Sequence, residues 1–214
     1  MTKPAIALLL LLCQPAAGVV VDRIAVIVDK RAIKTSDIDR DVRVTEFLNR
    51  QPLDTSVDAR KKAADRLVVQ TVIREEMEKG GYTKSTADEL DGMVTGILND
   101  RFGGSDARLR AELARYGLTE PQLRMQLQWQ LDVLKFMDER FRPGIIVTDD
   151  QVRDYYGKYK TQLERNYPQL KTFEAMEPKI RAILESDQLS RNFDEWLEEA
   201  RKRDRIVYRQ EAFQ

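Results

Sequence analysis

Helix start and stop signals recur along this chain at intervals that leave little room for a sheet. Ser56 stands where a cap opens a helix running to Gly80-Gly81. Ser85, with Asp88 three residues on, opens the next, which ends at Gly103-Gly104, and Ser105 opens a short one ending at Gly117. Thr119 with Gln122 forms a capping-box pattern for a long helix through Phe141, with Pro121 in the first turn, where a missing N–H costs nothing. Thr148 with Gln151 repeats the pattern for a helix to about Glu164. A last long helix runs from about Thr172 to Arg203, with Pro178 removing one helical hydrogen bond near its start. Hydroxyl and amide side chains at these positions satisfy the orphaned N–H groups of a first turn, and paired glycines take the left-handed conformation that closes a last one. Arg142-Pro143-Gly144 marks a hinge and Asn166-Tyr167-Pro168 a second loop. No internal repeat or low-complexity tract occurs.

The remaining structure is predicted at the two ends. Val20 to Val28 is β-branched and apolar, and Arg31 to Lys34 is a second short extended run, so a hairpin turns at Asp29-Lys30, although the favoured Gly is absent. Ser36 then caps the first helix, with Asp37, Asp39 and Asp41 near its positive end. Ile206-Val207-Tyr208 reads as a closing strand. A two-stranded ribbon is marginal alone, so this strand is expected to pair with the hairpin. The fold class expected is mostly α: a multi-helix domain with a small hairpin joined by a C-terminal strand.

The first eighteen residues have the layout of a secretory signal. Lys3 precedes the apolar run Ala5 to Cys13, and Ala16-Ala17-Gly18 supplies small residues for cleavage, so the mature chain is expected to begin at Val19. The run is too short for a bilayer-spanning helix, which needs roughly 20 residues, so no stable membrane insertion is expected once the signal is gone. Cys13 is the only cysteine, so the mature chain carries no thiol that an oxidising compartment could trap. Basic and acidic residues balance at 36 each, and removal of Lys3 leaves 35 against 36, a net of −1. No basic field points to nucleic acid.

The chain contains no histidine, which removes the commonest general base and metal ligand together. No phosphate-binding glycine loop, Cys/His metal pattern or nucleophile elbow is present. Carboxylates such as Glu75, Glu76 and Glu78 read as a solvated helix face, and Arg201, Lys202, Arg203 and Arg205 sit where a helix C-terminus favours positive charge. No catalytic residue, metal site or cofactor is expected.

Two helices carry more apolar surface than one contact face needs. At about 100° per residue, Leu123, Leu127, Leu131, Leu134, Met137 and Phe141 share one side of the long helix, and Met125, Trp129, Val133 and Phe136 lie roughly opposite. Such a helix is either sandwiched in a bundle or presents one face to a partner. Met and Trp suit the second role, because one adapts its shape and the other offers large area. Tyr155, Tyr156 and Tyr159, with Val152 and Leu163, form a stripe that is either core edge or an aromatic wall facing those residues across the hinge. The last helix switches sides between Ile180, Ile183, Leu184 and Leu189, Phe193, Trp196, Leu197, Ala200, as a strut packing on two parts of a protein would.

Three stretches together carry a family resemblance. The opening VVDRIAVIVDKRAIKTSDI resembles the first hairpin and helix of SurA-type chaperones, Ala59 through Phe141 resembles their N-terminal helical region, and the close FDEWLEEARKRDRIVY resembles their C-terminal helix and strand. The resemblance implies a SurA-like helical domain at 19–142, a hinge and connecting helix at 143–171, and a C-terminal helix and strand at 172–214 packing back on the first. It further implies a periplasmic holding chaperone whose clients are unfolded polypeptides, outer-membrane proteins above all. On the helical geometry above, Met125, Trp129, Val133 and Phe136 are the candidate peptide-binding residues, with Tyr155, Tyr156 and Tyr159 facing them across the hinge. Many relatives carry parvulin domains between the post-hinge helix and the C-terminal helix; here only about Glu164 to Lys171 separates them. The resemblance thus argues against isomerase activity. A prolyl isomerase with a site of another kind, and a subunit dedicated to one envelope partner, are the competing readings.

Overall fold

A computed structural model describes residues 22–213. The expected signal segment, its cleavage point and Cys13 lie outside the described residues.

Seven helices and three strands are found among them. Strands β1 (Ile24–Val28) and β2 (Arg31–Lys34) form the hairpin, followed by helices α1 (Thr35–Asn49), α2 (Val57–Gly80), α3 (Ala87–Phe102), α4 (Asp106–Arg115), α5 (Glu120–Phe141), α6 (Asp149–Asn166) and α7 (Phe173–Arg203), and strand β3 (Ile206–Tyr208). The sheet order is β2-β1-β3, antiparallel throughout, with Val28 opposite both Arg31 and Ile206. The closing strand therefore pairs with the hairpin, as expected.

The hairpin turn works without glycine because Asp29 takes a left-handed φ of 49°, which Asp tolerates better than most residues. It is held from the far end of the chain. Its N–H donates to the Arg205 carbonyl at 2.9 Å, and its carboxylate accepts from the Arg205 N–H at 2.8 Å.

The expected helix starts hold at Ser56, Ser105, Thr119, Thr148 and Thr172, and shift at two places. Ser36 does not cap α1: the cap is Lys34, whose N–H donates to Asp37 at 3.1 Å. Ser36 is itself held by Asp22, whose carboxylate accepts from its N–H at 3.1 Å and its hydroxyl at 2.6 Å. Those bonds hold the Asp22 carboxyl below its ordinary range. Likewise Thr86, boxed with Glu89, caps α3 in place of Ser85, because Ser85 gives both its N–H and its hydroxyl to Asp132 on α5.

Three apolar clusters organise the molecule. The first joins the sheet to α1, α2 and the end of α7 through Val26, Val28, Ile38, Val68, Ala200 and Phe213. The second packs the end of α1 with α3, α4 and the first half of α5 through Phe47, Leu109, Leu113, Leu123 and Leu127. The third lies between α6 and the first half of α7, around Val152, Leu163, Met176 and Ile180. Helix α7 reaches from the third to the first, so its change of face is real: Met176 and Ile180 serve one core, Trp196, Leu197 and Ala200 the other. Its 31 residues make it about 46 Å long at 1.5 Å per residue. No helix among the described residues is long and apolar enough to cross a membrane.

Candidate functional site

Helix α5 resolves the choice between sandwich and open face by doing each along half its length. On the first face, Leu123 and Leu127 are buried against α1, α3 and α4, whereas Leu134, expected to share that burial, is 59% exposed. On the opposite face the order reverses. Met125 is 61% exposed and Trp129 half-buried, while Phe136 is completely buried. Phe136 meets Tyr82, Phe141 and Trp196 edge to face at 4.8, 5.8 and 5.4 Å. The reason is tertiary: α7 covers the second half of α5, and nothing in the periodicity of α5 says where that cover begins. Phe136 is thus placed in the core, apart from the open stripe on which the sequence put it. Arg140 threads this aromatic cluster, 5.3 Å from the centre of Trp196, and donates to Glu76 and to the Tyr82 hydroxyl, both at 2.6 Å.

The open half of α5 walls a cleft of about 430 Å³. Gln122, Met125, Gln126 and Trp129 line it from α5, and Leu67, Gln70, Thr71 and Arg74 from α2. Arg31, Ala32 and Ile33 of β2, with Asp37, Arg40, Asp41 and Val44 of α1, complete the lining. Most of its charges are already paired. Arg31 reaches Glu75 at 3.1 Å and also pairs with Glu78, and Arg40 holds Asp37 at 2.5 Å. Asp41 is only 4% exposed; it accepts from Arg66 Nε at 2.9 Å and Nη2 at 2.5 Å, and from Gln70 at 3.5 Å. Burial nonetheless raises the Asp41 carboxyl above its ordinary value, with Arg66 pulling the other way. Arg74 differs from these: its guanidinium lies 5.0 Å over the Trp129 ring, and it makes no ion pair among the described residues.

The other candidates sit elsewhere. Val133 is half-buried one turn beyond Trp129 and does not line the cleft. Tyr155, Tyr156 and Tyr159 are half-buried on α6 around the third cluster. Tyr155 and Tyr159 lie 4.7 Å apart, and Tyr156 meets Phe173 of α7 at 5.3 Å. Helix α6 kinks at Tyr159, where φ is −117° and ψ 16°. None of the three tyrosines lines the cleft at Met125 and Trp129. Conversely, sequence reasoning missed Arg31, Ala32, Arg40, Gln70 and Arg74. Their place in the cleft follows from how β2, α1 and α2 meet α5, which no local pattern encodes. No group of three potential metal-ligating side chains stands together among the described residues.

No family model matches the chain. It is 26% identical over 140 residues to the chaperone SurA of Pectobacterium atrosepticum, a span of 64% of this chain and 32% of that protein. Against the chaperone SurA of Pseudomonas aeruginosa the identity is 26% over 164 residues, 73% of this chain and 39% of that one. The chain therefore spans between about a third and two fifths of the length of these relatives. Among solved structures it is similar, with a TM-score of 0.53 and 16% identity, to a chain from the structural study of PEB4 and Cj1289, two SurA-like chaperones of Campylobacter jejuni. The match covers 87% of this chain and 98% of that one and is a likeness of fold.

Proposed function

We propose that this chain, similar to SurA chaperones in sequence and to SurA-like chaperones in fold, is a holding chaperone, which binds unfolded polypeptide in the cleft walled by Met125 and Trp129 and keeps it from aggregating. The observation that carries this reading is the open half of α5. Met125 is 61% exposed beside a half-buried Trp129, in a cleft whose other walls mix charged and polar side chains with Ala32, Ile33, Val44 and Leu67. Large apolar side chains left uncovered in a concavity cost solubility unless something covers them part of the time. A thioether and an indole accept many shapes, as a site without a fixed ligand requires. Holding needs no reactive group, and a non-enzymatic role suits a chain without histidine.

Only residues 167–172 separate α6 from α7, too few for a catalytic domain at the point where many relatives carry one. Val133 and the tyrosines of α6 supply further apolar surface, the tyrosines at a second position along an extended client. Weak contacts at separated points keep a client soluble yet releasable. The signal-like first eighteen residues support a periplasmic location for this activity, and with it outer-membrane proteins as clients, whose strands alternate apolar and polar side chains.

The test is suppression of aggregation of a urea-unfolded outer-membrane barrel protein diluted into buffer, with the intact protein and with Trp129→Ala. Protection by the first and several-fold weaker protection by the second, at equal thermal stability, is the expected result. Equal protection removes the cleft from the proposal, and no protection by either removes the chaperone reading. Binding to one envelope protein alone, without protection of varied clients, favours a dedicated docking subunit.

A further inference from the structure

One wall of the cleft is the edge of a β-sheet. In the order β2-β1-β3, β1 is central and β2 has a partner on one side only. The hydrogen bonds of β1 settle which groups of β2 are unused. Ala25 accepts from Arg209 at 2.9 Å, and Asp29 donates to Arg205 at 2.9 Å, so the odd-numbered residues of β1 turn their backbone toward β3. Val26 and Val28 therefore turn theirs toward β2, where they face Ile33 and Arg31. Hydrogen-bonded pairs alternate with non-bonded ones along an antiparallel ladder. Ala32, opposite Ile27, consequently points its N–H and C=O away from the sheet, and no loop or side chain among the described residues bonds to them.

Proteins ordinarily shield such an edge with charged side chains, a bulge or a covering element. Here the shield is drawn aside. The long side chain of Arg31 is tied down to Glu75 and Glu78 on α2, and the Lys34 N–H is capped by Asp37. Ala32 has no side chain long enough to cover its own backbone, is exposed, and lines the same cleft as Met125 and Trp129. Arg74 lines the same cleft, stacks over Trp129, and has no carboxylate partner among the described residues.

We propose that the cleft takes its client as an added β-strand: an extended polypeptide segment pairs through its backbone with Ala32, rests an apolar side chain on Met125 and Trp129, and places an acidic side chain on Arg74. This rests on the holding reading above and specifies the conformation and chemistry of what is held. Strand addition draws affinity from main-chain bonds, which every sequence can make, and specificity from the side chains that meet the flanking walls. One free residue on a four-residue strand offers a single pair of hydrogen bonds, so each encounter is weak. Arg74, which makes no ion pair among the described residues, selects segments of opposite charge.

The test uses a fluorescently labelled ten-residue peptide of alternating valine and threonine with one central glutamate. Two analogues are N-methylated at alternate residues, each blocking one backbone edge, and a third carries glutamine for the glutamate. The expected result is that methylation of one edge lowers affinity at least tenfold while methylation of the other leaves it within twofold. The glutamine peptide binds several-fold more weakly to the natural protein and equally to Arg74→Gln. Ala32→Pro, which deletes the outward N–H at a position the ladder does not use, lowers affinity at least fivefold with the melting temperature retained; should that variant fail to fold, the methylated peptides decide alone. Equal affinity of the two methylated peptides, or no binding of the parent peptide, overturns strand addition. The aggregation assay then still reports separately whether the protein holds clients. A dimer in sedimentation that Ala32→Pro dissolves identifies a second copy of the chain as the occupant, which also overturns the proposal.

Discussion

Phe136 of α5 and Trp196 of α7 meet edge to face at 5.4 Å, and this contact fastens the last helix to the middle of the chain. Phe136 is fully buried, so Phe136→Ala is expected to destabilise the protein by about 3–5 kcal/mol. Trp129→Ala, on the same side of α5 but in the open cleft, is expected to cost less than about 1 kcal/mol. Urea unfolding of the two variants checks the contrast; a large loss for Trp129→Ala places that ring in the core.

Val207 is 38% exposed, yet it faces Ile27 at a hydrogen-bonded position of β1. Val207→Pro removes little packing and one N–H, leaving the Ile27 carbonyl unpaired in the central strand, a loss of about 1–3 kcal/mol. Val207→Thr keeps the bond and serves as the control. Equal stability of the two variants contradicts the pairing of β3 with β1.

How much of this was legible in the sequence depends on the range of the force involved. Capping side chains act within one turn, which is why the helices opening at Ser56, Ser105, Thr119, Thr148 and Thr172 stand where the residues place them. The shifts at Ser36 and Ser85 have distant causes, Asp22 fourteen residues before the first and Asp132 on another helix for the second. The two faces of α5 were readable, but the half of each face that is covered was not, because α3, α4 and α7 decide it. Ala32 was invisible for a similar reason: β3 could join either side of the hairpin, and only its choice of β1 leaves β2 at the edge.

Asp41 gives an acid-side prediction. Burial raises its carboxyl above the ordinary 3.8, so the folded protein takes up this proton at a higher pH than the unfolded chain. Its charge therefore opposes folding at neutral pH, and the penalty fades as pH falls through the folded value toward 3.8. Relative to Asp41→Asn, which does not titrate, the natural protein gains stability on acidification and levels off below that point. Urea midpoints of both proteins across this range measure it; a natural protein that loses stability relative to Asp41→Asn on acidification, or holds a constant difference from it, contradicts the buried setting.

Tyr208 gives the alkaline counterpart. Burial first, and then its 2.6 Å hydrogen bond to Asp65, push its hydroxyl from 10.0 up to about 12. The folded state keeps this proton after the unfolded chain has lost it. The associated stability is intact below pH 10.0 and lost as pH rises from there through about 12. Tyr208→Phe lacks this loss and is expected to show a shallower alkaline decline, with one fewer late-titrating tyrosine in ultraviolet absorbance.

Export is checked at the chain's beginning. The small residues Ala16-Ala17-Gly18 lead to an expected mature start at Val19, to be read by N-terminal sequencing of protein recovered from the periplasm. A start at Met1, or a lipid on Cys13, contradicts it.

The clasp between Asp29 and Arg205 joins residues 176 positions apart, and this separation sets an order of events for a chain that is made from one end to the other. The contacts of Phe47 with α3, α4 and α5 span far shorter stretches and close earlier, since the entropy of loop closure grows with the length enclosed. The hairpin waits. Until Ile206 to Tyr208 emerge, β1 has one partner where it ends with two, and a two-stranded ribbon of that kind is marginal in water. A nascent chain stalled short of residue 206 is therefore expected to carry a formed helical layer and an unfinished sheet, and proteases that cut extended segments should find the hairpin during that interval and lose it afterwards.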